Sequence, residues 1–313
     1  MSSIKAVLFG LNYIGTKKEL SGCINDVNLM NNCLKNYLKV PETNISIFHD
    51  NTEIKPYSEK IIRILNNAID EVNNSSNLKT LWIHYSGHGS YINDLNDDEE
   101  YMEIDGSLYY GYDEVLCPLS GKYIKDDDLN QIFSRLKEDK KLVCVFDCCH
   151  SGTALDLPYR YDYKNNICIE EKNKNLIKCD AILLSGAKDS QTAADAPGLS
   201  TKYLYTGAFT TSILKACENE VTVSLDKIID YAAKYLKDNG LWQIPVVTSS
   251  RNITLKTEFM SSNYRKSINA KIKYYEKYIN LCDHYYIIYK DEVYKKYKEY
   301  FIKRKNSFIL SLV

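Results

Sequence analysis

Short apolar runs alternate with amphipathic stretches along the first 255 residues. The runs are bounded by Gly, Ser and other polar residues, and they predict buried strands of a largely parallel sheet at Ala6–Phe9, Ile45–His49, Thr80–Tyr85, Leu142–Asp147 and Ala181–Ser185. The stretches between and after them predict helices at Cys23–Tyr37, Ser58–Asn73, Asp127–Leu136, Thr206–Ala216 and Ser224–Lys237. This alternation favours an α/β fold with a mostly parallel central sheet flanked by helices.

Two polar stretches interrupt the alternation. Residues 90–112 are acidic, and residues 160–178 are rich in Asn, Lys and Tyr. Both are predicted to be exposed, mobile loops.

The C-terminal segment, residues 256–313, differs in composition. It carries 13 Lys/Arg against 6 Asp/Glu, a net charge of +7, and it has ten tyrosines. Apolar residues recur at alternating spacings of three and four at Ile272, Tyr275, Ile279, Cys282, Tyr286, Tyr289 and Val293. The spacing predicts a helical extension whose apolar face packs on the body of the protein. A partner-binding or membrane-surface role is the alternative.

Charge and cysteine usage narrow the class of protein. The chain carries a net charge of −1, so the basic tail leaves the first 255 residues at −8, which favours cationic partners or substrates. Ten cysteines without a CxxC pair indicate free thiols in a reducing, cytoplasmic setting. No apolar stretch has the length of a membrane span. We expect a monomer without a nucleic-acid partner, because only the basic tail argues for such binding and charge alone is poor evidence.

Two of the predicted strands end in reactive side chains. His88 follows one strand and Cys149 follows another, which makes a nucleophile and base pair when the strand ends meet. Because side chains alternate along a strand, Cys148 and Cys149 cannot enter the same cleft. The same parity places Asp147 beside Cys149 and Ser86 beside His88. The alternative is that these are core thiols and a structural histidine.

These residues carry a resemblance to a known family. YSGHGS at 85–90 and DCCHSGT at 147–153 resemble the two catalytic signatures of metacaspases, which are caspase-like cysteine peptidases. Further similar motifs follow in the family's order, at residues 22–26, 155–158, 185–191, 207–210 and 243–245. The resemblance covers residues 4–255. The layout of the chain is similar to that of type I members, but the chain lacks their Pro-rich N-terminal extension.

The resemblance implies a caspase-like three-layer sandwich. The catalytic domain would span residues 1–255, with a large-subunit part at 1–160, a loop at 160–178 and a small-subunit part at 179–255. Residues 256–313 would form a basic, Tyr-rich helical extension. Within the catalytic domain, Cys149 would be the nucleophile and His88 its acid–base partner, while the backbone N–H groups of Gly89 and Cys149 would form the oxyanion hole.

The resemblance also implies a substrate preference and an activating ion. The family's pocket for a basic side chain maps onto Asp26, Ser86 and Asp147, so the chain would cleave protein or peptide substrates after Arg or Lys. A calcium ion that activates without taking part in the chemistry would bind carboxylates that align with the family's site, which are Asp113, Asp126, Asp127 and Asp156. An acidic run at residues 97–100 offers competing ligands, and a solvated acidic loop is the alternative. Self-cleavage is expected at Lys172, Lys174 or Lys178.

Two other functions stay open at this point. The chain could be a non-proteolytic caspase-like scaffold or protein-quality-control module, in which the tail makes the contacts. It could also be a caspase-fold hydrolase with another specificity, such as cleavage after Asn. Intact His88 and Cys149 argue against the first, and the acidic pocket residues argue against the second.

Overall fold

A computed structural model of the chain forms two compact units, Met1–Met260 and Ser261–Val313. The residues that it describes are 3–93, 102–104, 107–109, 112–149, 152, 154–162, 167–170, 176–186, 195–197, 205–219, 222–241, 245–253, 258–261, 263–290 and 292–310.

Strands and helices alternate along the first unit. Its strands are β1 Ile4–Gly10, β2 Ile45–His49, β3 Thr80–Ser86, β4 Gly89–Asn93, β5 Met102–Ile104, β6 Ser107–Tyr109, β7 Tyr112–Leu116, β8 Ile124–Lys125, β9 Lys141–Asp147, β10 Tyr159–Asp162, β11 Ile167–Glu170, β12 Asp180–Ser185, β13 Asp195–Pro197, β14 Tyr205–Gly207, β15 Thr222–Ser224 and β16 Val246–Ser249. A last strand, β17 Glu258–Ser261, ends one residue past the boundary of this unit. Its helices are α1 Cys23–Asn36, α2 Ser58–Asn74, α3 Asp126–Phe133, α4 Ala208–Asn219 and α5 Leu225–Asp238.

One eight-stranded sheet organises this unit. Its strand order is β11-β10-β16-β12-β9-β3-β1-β2, and the pairs from β12 to β2 are parallel. The strands β10, β11 and β16 pair antiparallel at the other side. The predicted α/β class with a mostly parallel central sheet is therefore confirmed.

Helices cover both faces of the sheet. Alternate residues of β1 face opposite sides: Val7 and Phe9 belong to a buried cluster with α2 and α3, whereas Ala6 and Leu8 belong to one with α1, α4 and α5. A strand that is covered on both faces is apolar at nearly every position, which is why these strands appear in the sequence as near-continuous apolar runs. Each large apolar side chain buried in this way contributes about 1.5–3 kcal/mol.

The structure corrects several predicted boundaries. Four of the five predicted strands lie within one residue of the observed ones at each end, and β1 begins two residues earlier than predicted, at Ile4. The predicted helix that ended at Leu136 ends at Phe133, and the one predicted to begin at Thr206 begins at Ala208. The second difference arises because residues 205–207 form β14, which pairs with β13.

Loops were predicted for both polar stretches, but parts of each form short strands. The strand β4 pairs antiparallel with β7, and β10 pairs with β11 on the central sheet. These strands are short and mix polar with apolar residues, so their structure depends on pairing with a partner strand rather than on a continuous apolar run. Lys172, Lys174 and the acidic run at 97–100 lie outside the described residues. Lys178 is exposed, and self-cleavage there stays a prediction.

The second unit is a helical hairpin. Its helices are α6 Asn263–Tyr289 and α7 Val293–Leu310. They run antiparallel, since Lys298 pairs with Asp283 at 2.8 Å and Lys305 pairs with Glu276 at 2.9 Å. The apolar face of the predicted helix was expected to continue to Val293. Instead α6 ends at Tyr289, because Lys290 takes a left-handed conformation at φ 53°. Among the described residues, no helix is long and apolar enough to cross a membrane.

His84 makes the stability of the first unit depend on pH. Its imidazole is fully buried in β3, its Nδ1 lies 3.1 Å from the Val145 carbonyl, and burial lowers its pKa from 6.5 to about 4. Between about pH 6.5 and pH 4, His84 is therefore protonated in the unfolded chain but stays neutral in the folded one. We expect this group to lower the free energy of unfolding by about 2 kcal/mol between pH 7.5 and pH 5.

Urea titrations at these two pH values measure the loss, and His84→Gln should remove that part of it. His284→Gln, at an exposed position, provides the matched control substitution. An identical pH dependence in the wild type and His84→Gln would refute the assignment.

Candidate active site

The carboxyl ends of β3 and β9 meet at one edge of the sheet. Their last residues, Ser86 and Asp147, are register partners, and the Gly87 N–H continues the contact to the Asp147 carbonyl at 3.4 Å. His88 and Cys149 each follow two residues after this pair. The structure therefore brings the two predicted catalytic residues to neighbouring positions past the same sheet edge, where α/β proteins place their sites.

Gly89 lies directly against the backbone of Cys149. A Cβ atom at position 89 would stand 2.0 Å from the Cys149 carbonyl oxygen and 3.3 Å from the Cys148 sulfur. Such a distance is impossible for a side chain, so only glycine fits. This close approach brings together the two residues that were predicted to form the oxyanion hole.

The two adjacent thiols have different surroundings. Cys148 is fully buried in the core cluster below the sheet edge, whereas Cys149 is partly exposed. Cys117, which follows β7, also lies close to Cys149, and burial raises the pKa of its thiol to about 11. Of these three thiols, Cys149 alone is accessible enough to attack a substrate.

The imidazole of His88 is held by the segment that follows β1. Its Nε2 lies 2.8 Å from the Lys18 carbonyl oxygen, and the ring packs against Tyr13 with centroids 4.7 Å apart. Because a carbonyl can only accept, Nε2 carries a proton and Nδ1 of the neutral ring is the basic nitrogen. The sequence interpretation missed Tyr13 and Lys18. Their position just past the carboxyl end of a central strand was the available signal.

Two of the three predicted pocket residues, Asp26 and Asp147, lie against Gly207, and the third, Ser86, bonds to Asp26. Asp26 is fully buried, and its carboxylate accepts bonds from the Ser86 hydroxyl and the Gly207 N–H, both at 2.7 Å. The Asp147 carboxylate accepts the Thr210 N–H at 2.8 Å, at the first turn of α4. A Cβ atom at position 207 would lie 2.3 Å from Asp147 Oδ2 and 2.6 Å from Asp26 Oδ2. Gly207 therefore separates two carboxylates, a role that the sequence interpretation missed.

A second carboxylate group gathers near the start of α3. One oxygen each from Asp113, Asp126 and Asp127 lies within 4.8 Å of the others. Asp156 is buried but is not a member of this close group. The ammonium group of Lys125 pairs with Asp113 and offsets part of the negative charge.

The donor set suits a hard cation. Calcium–oxygen distances are about 2.3–2.6 Å, so oxygens that share one ion lie up to about 5 Å apart, as these three do. Burial raises the pKa of the Asp126 carboxyl to about 6, which reflects the cost of holding charge there without further compensation.

Comparison with known proteins identifies the family of the chain. The family model described as "Metacaspase, peptidase C14 domain" matches residues 4–158. Metacaspase-2 of Trypanosoma brucei brucei is 31% identical over 283 residues, which cover 82% of this chain and 76% of the relative. Metacaspase-1B of Neurospora crassa is 34% identical over 207 residues, covering 64% and 45%.

Solved structures support the fold. The protein GSU0716 of Geobacter sulfurreducens superposes with a TM-score of 0.58 at 19% identity, covering 83% of this chain and 98% of its own. Caspase-1 of Spodoptera frugiperda superposes with a TM-score of 0.50 at 13% identity, covering 79% and 86%. The sheet is thus caspase-like, as expected from the resemblance. With this fold and a relative that matches over most of both chains, the chain belongs to the metacaspase family of cysteine peptidases.

Proposed function

We propose that this chain is an endopeptidase that cleaves after Arg or Lys through a Cys149–His88 dyad and is activated by calcium. The observation that carries the proposal is the meeting of two features at one sheet edge. A partly exposed thiol and an imidazole follow the paired ends of β3 and β9, and two carboxylates converge beside them.

The dyad would work by nucleophilic catalysis. The Cys149 thiolate attacks the scissile carbonyl and forms a C–S bond, and the His88 imidazolium gives its Nδ1 proton to the leaving amine. The thioester is then hydrolysed by water, whose proton the same nitrogen accepts. The Lys18 carbonyl supports this cycle, because its bond to Nε2 keeps Nδ1 as the nitrogen that exchanges protons.

The oxyanion of each tetrahedral intermediate needs donors that are already in place. In this proposal the backbone N–H groups of Gly89 and Cys149 provide them. The contact between these two residues supports the assignment, since it fixes the backbone of one against the other.

The pocket at Gly207 favours a cationic side chain. Asp26 and Asp147 are buried and lie close together, so their mutual repulsion is relieved when a positive charge enters. Arg can form two parallel bonds with such a pair, and Lys can form one with each carboxylate. An aspartate side chain would add a third negative charge.

The substrate proposal is tested with short fluorogenic peptides that differ only in the residue before the cleaved bond. We expect hydrolysis of Arg and Lys peptides and at least about a hundredfold lower kcat/KM for Asp and Asn peptides, which is the scale of a charge reversal in a buried pocket. Equal rates for Asp or Asn peptides would overturn the pocket assignment.

The calcium part of the proposal assigns Asp113, Asp126 and Asp127 as ligands, with Asp156 as a fourth ligand by family resemblance. The ion would supply the positive charge that this group lacks, and Lys125 would exchange its pairing with Asp113 for solvent. No part of the peptide chemistry takes place on the ion.

Calcium binding is measured as a shift in thermal unfolding of the Cys149→Ala protein, which cannot digest itself under the proposed mechanism. At calcium concentrations a hundredfold above Kd, binding adds about 2.7 kcal/mol and should raise Tm by about 5–10 °C relative to chelator. We expect Asp126→Asn to lose this shift and Asp128→Asn, on the same helical turn, to keep it. An equal shift in Asp126→Asn would contradict the assigned site.

A further inference from the structure

Two buried tyrosine hydroxyls lie behind His88. Tyr13 follows β1 and is 6% exposed, whereas Tyr85 lies within β3 and is 1% exposed. Their hydroxyl oxygens are 3.3 Å apart although 72 residues separate them in sequence. Since a buried hydroxyl costs free energy unless it is bonded, the partners of this pair define its role.

Both backbone polar groups of His88 are bound within this cluster. The His88 N–H donates to the Tyr13 hydroxyl at 2.9 Å, and the Tyr85 hydroxyl lies 3.0 Å from the His88 carbonyl. The Cys117 N–H donates to that same carbonyl at 3.1 Å. Both hydroxyls also reach the Cys117 carbonyl, Tyr13 at 2.5 Å and Tyr85 at 2.9 Å. The peptide groups on both sides of the histidine are therefore fixed by hydroxyls.

Tyr13 itself is held in an uncommon conformation. Its φ of 53° lies in the left-handed region, which disfavours a bulky residue. The Asp50 carboxylate accepts the N–H groups on either side of it, from Asn12 at 2.8 Å and from Ile14 at 2.9 Å. Local strain of this kind persists where the surroundings impose it. Asp50 thus holds Tyr13 in position against the His88 ring.

We propose that Tyr13 and Tyr85 are positioning residues that fix the His88 imidazole toward Cys149. This inference rests on the proposed function. The hydroxyls anchor the histidine backbone, and the Tyr13 ring and the Lys18 carbonyl then set the plane and tautomer of the imidazole. Burial raises the pKa of both phenols, so they stay protonated donors throughout the pH range of an assay.

The test compares Tyr13→Phe and Tyr85→Phe with Tyr57→Phe, whose side chain is exposed elsewhere on the first unit. A displacement near 1 Å at a catalytic group costs about a hundredfold in rate. We expect kcat for an Arg peptide to fall about 10- to 100-fold in each buried variant, with KM changed by less than about twofold. Tyr57→Phe should match the wild type in both.

A second measurement separates this inference from the proposed function. The rate of Cys149 alkylation by iodoacetamide, followed site by site in mass spectra, depends on pH through the thiolate fraction. We expect the two buried variants to shift this profile toward that of an ordinary thiol, and Tyr57→Phe to leave it unchanged. A wild-type profile with wild-type kcat in both buried variants would overturn the inference.

The outcomes are distinguishable. Wild-type protein that hydrolyses none of the peptides would refute the proposed function, while the alkylation profile would still report on the tyrosines. If a Tyr→Phe variant does not fold, Asp50→Asn keeps both hydroxyls and removes one of the two bonds that hold Tyr13. It should then lower kcat about three- to tenfold. Failure of all three variants to fold would assign the cluster to stability alone and reject the inference.

Discussion

Cys149→Ala should lower kcat/KM for an Arg peptide by at least about a thousandfold, because no other group in the proposed mechanism can form the acyl intermediate. His88→Ala should fall in the same range, since the two residues act as a unit and their losses do not add. Initial-rate measurements with calcium present check both. Circular dichroism of the variants confirms that the loss is chemical.

The adjacent thiol provides the control. Cys148 is buried in the core cluster, so Cys148→Ala should cost about 1–2 kcal/mol of unfolding free energy as a small cavity and leave kcat within a few-fold of the wild type. Loss of activity in Cys148→Ala together with an active Cys149→Ala protein would reverse the assignment of the nucleophile.

The same variant separates a peptidase from the alternative scaffold function. A scaffold acts by binding, so Cys149→Ala would restore a cellular phenotype in full. If the function is proteolysis, Cys149→Ala would not restore the phenotype. Removal of the Cys149 thiol alone therefore distinguishes the two functions.

Gly207→Ala should lower kcat/KM for Arg and Lys peptides by at least about a hundredfold. The added methyl group would lie 2.3 Å from Asp147 Oδ2 and 2.6 Å from Asp26 Oδ2, so the carboxylates have to move by about 1 Å or more. Part of the space for the substrate's cationic group would be lost as well. The alkylation rate of Cys149 should stay close to that of the wild type, because the dyad is unchanged.

Gly240→Ala is the matched control for this substitution. A methyl group there meets nothing within 4 Å, although the left-handed φ of 74° makes the substitution strained. It should therefore lower stability by about 1 kcal/mol without changing kcat/KM. If Gly207→Ala cleaved Arg peptides at the rate of Gly240→Ala, the pocket would have to lie elsewhere.

The central strands and the dyad positions could be predicted because both depend on local pattern. A parallel strand covered on two faces is a near-continuous apolar run, and β3 and β9 are such runs apart from the buried His84 in β3. Their ends were therefore visible as the points where the apolar residues stop, at Ser86 and Asp147. The pairing of these two ends as register partners is a property of the sheet, and the sequence indicates it only through the predicted fold class.

Long-range contacts explain what could not be predicted. Tyr13 contacts His88 across 75 residues, and Gly207 bonds Asp26 across 181 residues. Tyr13 is one of 27 tyrosines, and the motif at residues 207–210 that contains Gly207 does not indicate which distant residues Gly207 contacts. The short strands β10 and β11 were missed because neither contains a long apolar run. They pair with each other, and β10 also pairs with the distant strand β16.

The strand order has a consequence for a chain nicked between β11 and β12. Strands from before and after that point are interleaved, because β10 pairs with β16 and β9 pairs with β12. The Asp26–Gly207 bond also joins an early segment to a late one. Two fragments produced by such a cut would stay associated through backbone ladders and a shared core, so they would migrate together until a denaturant separates them.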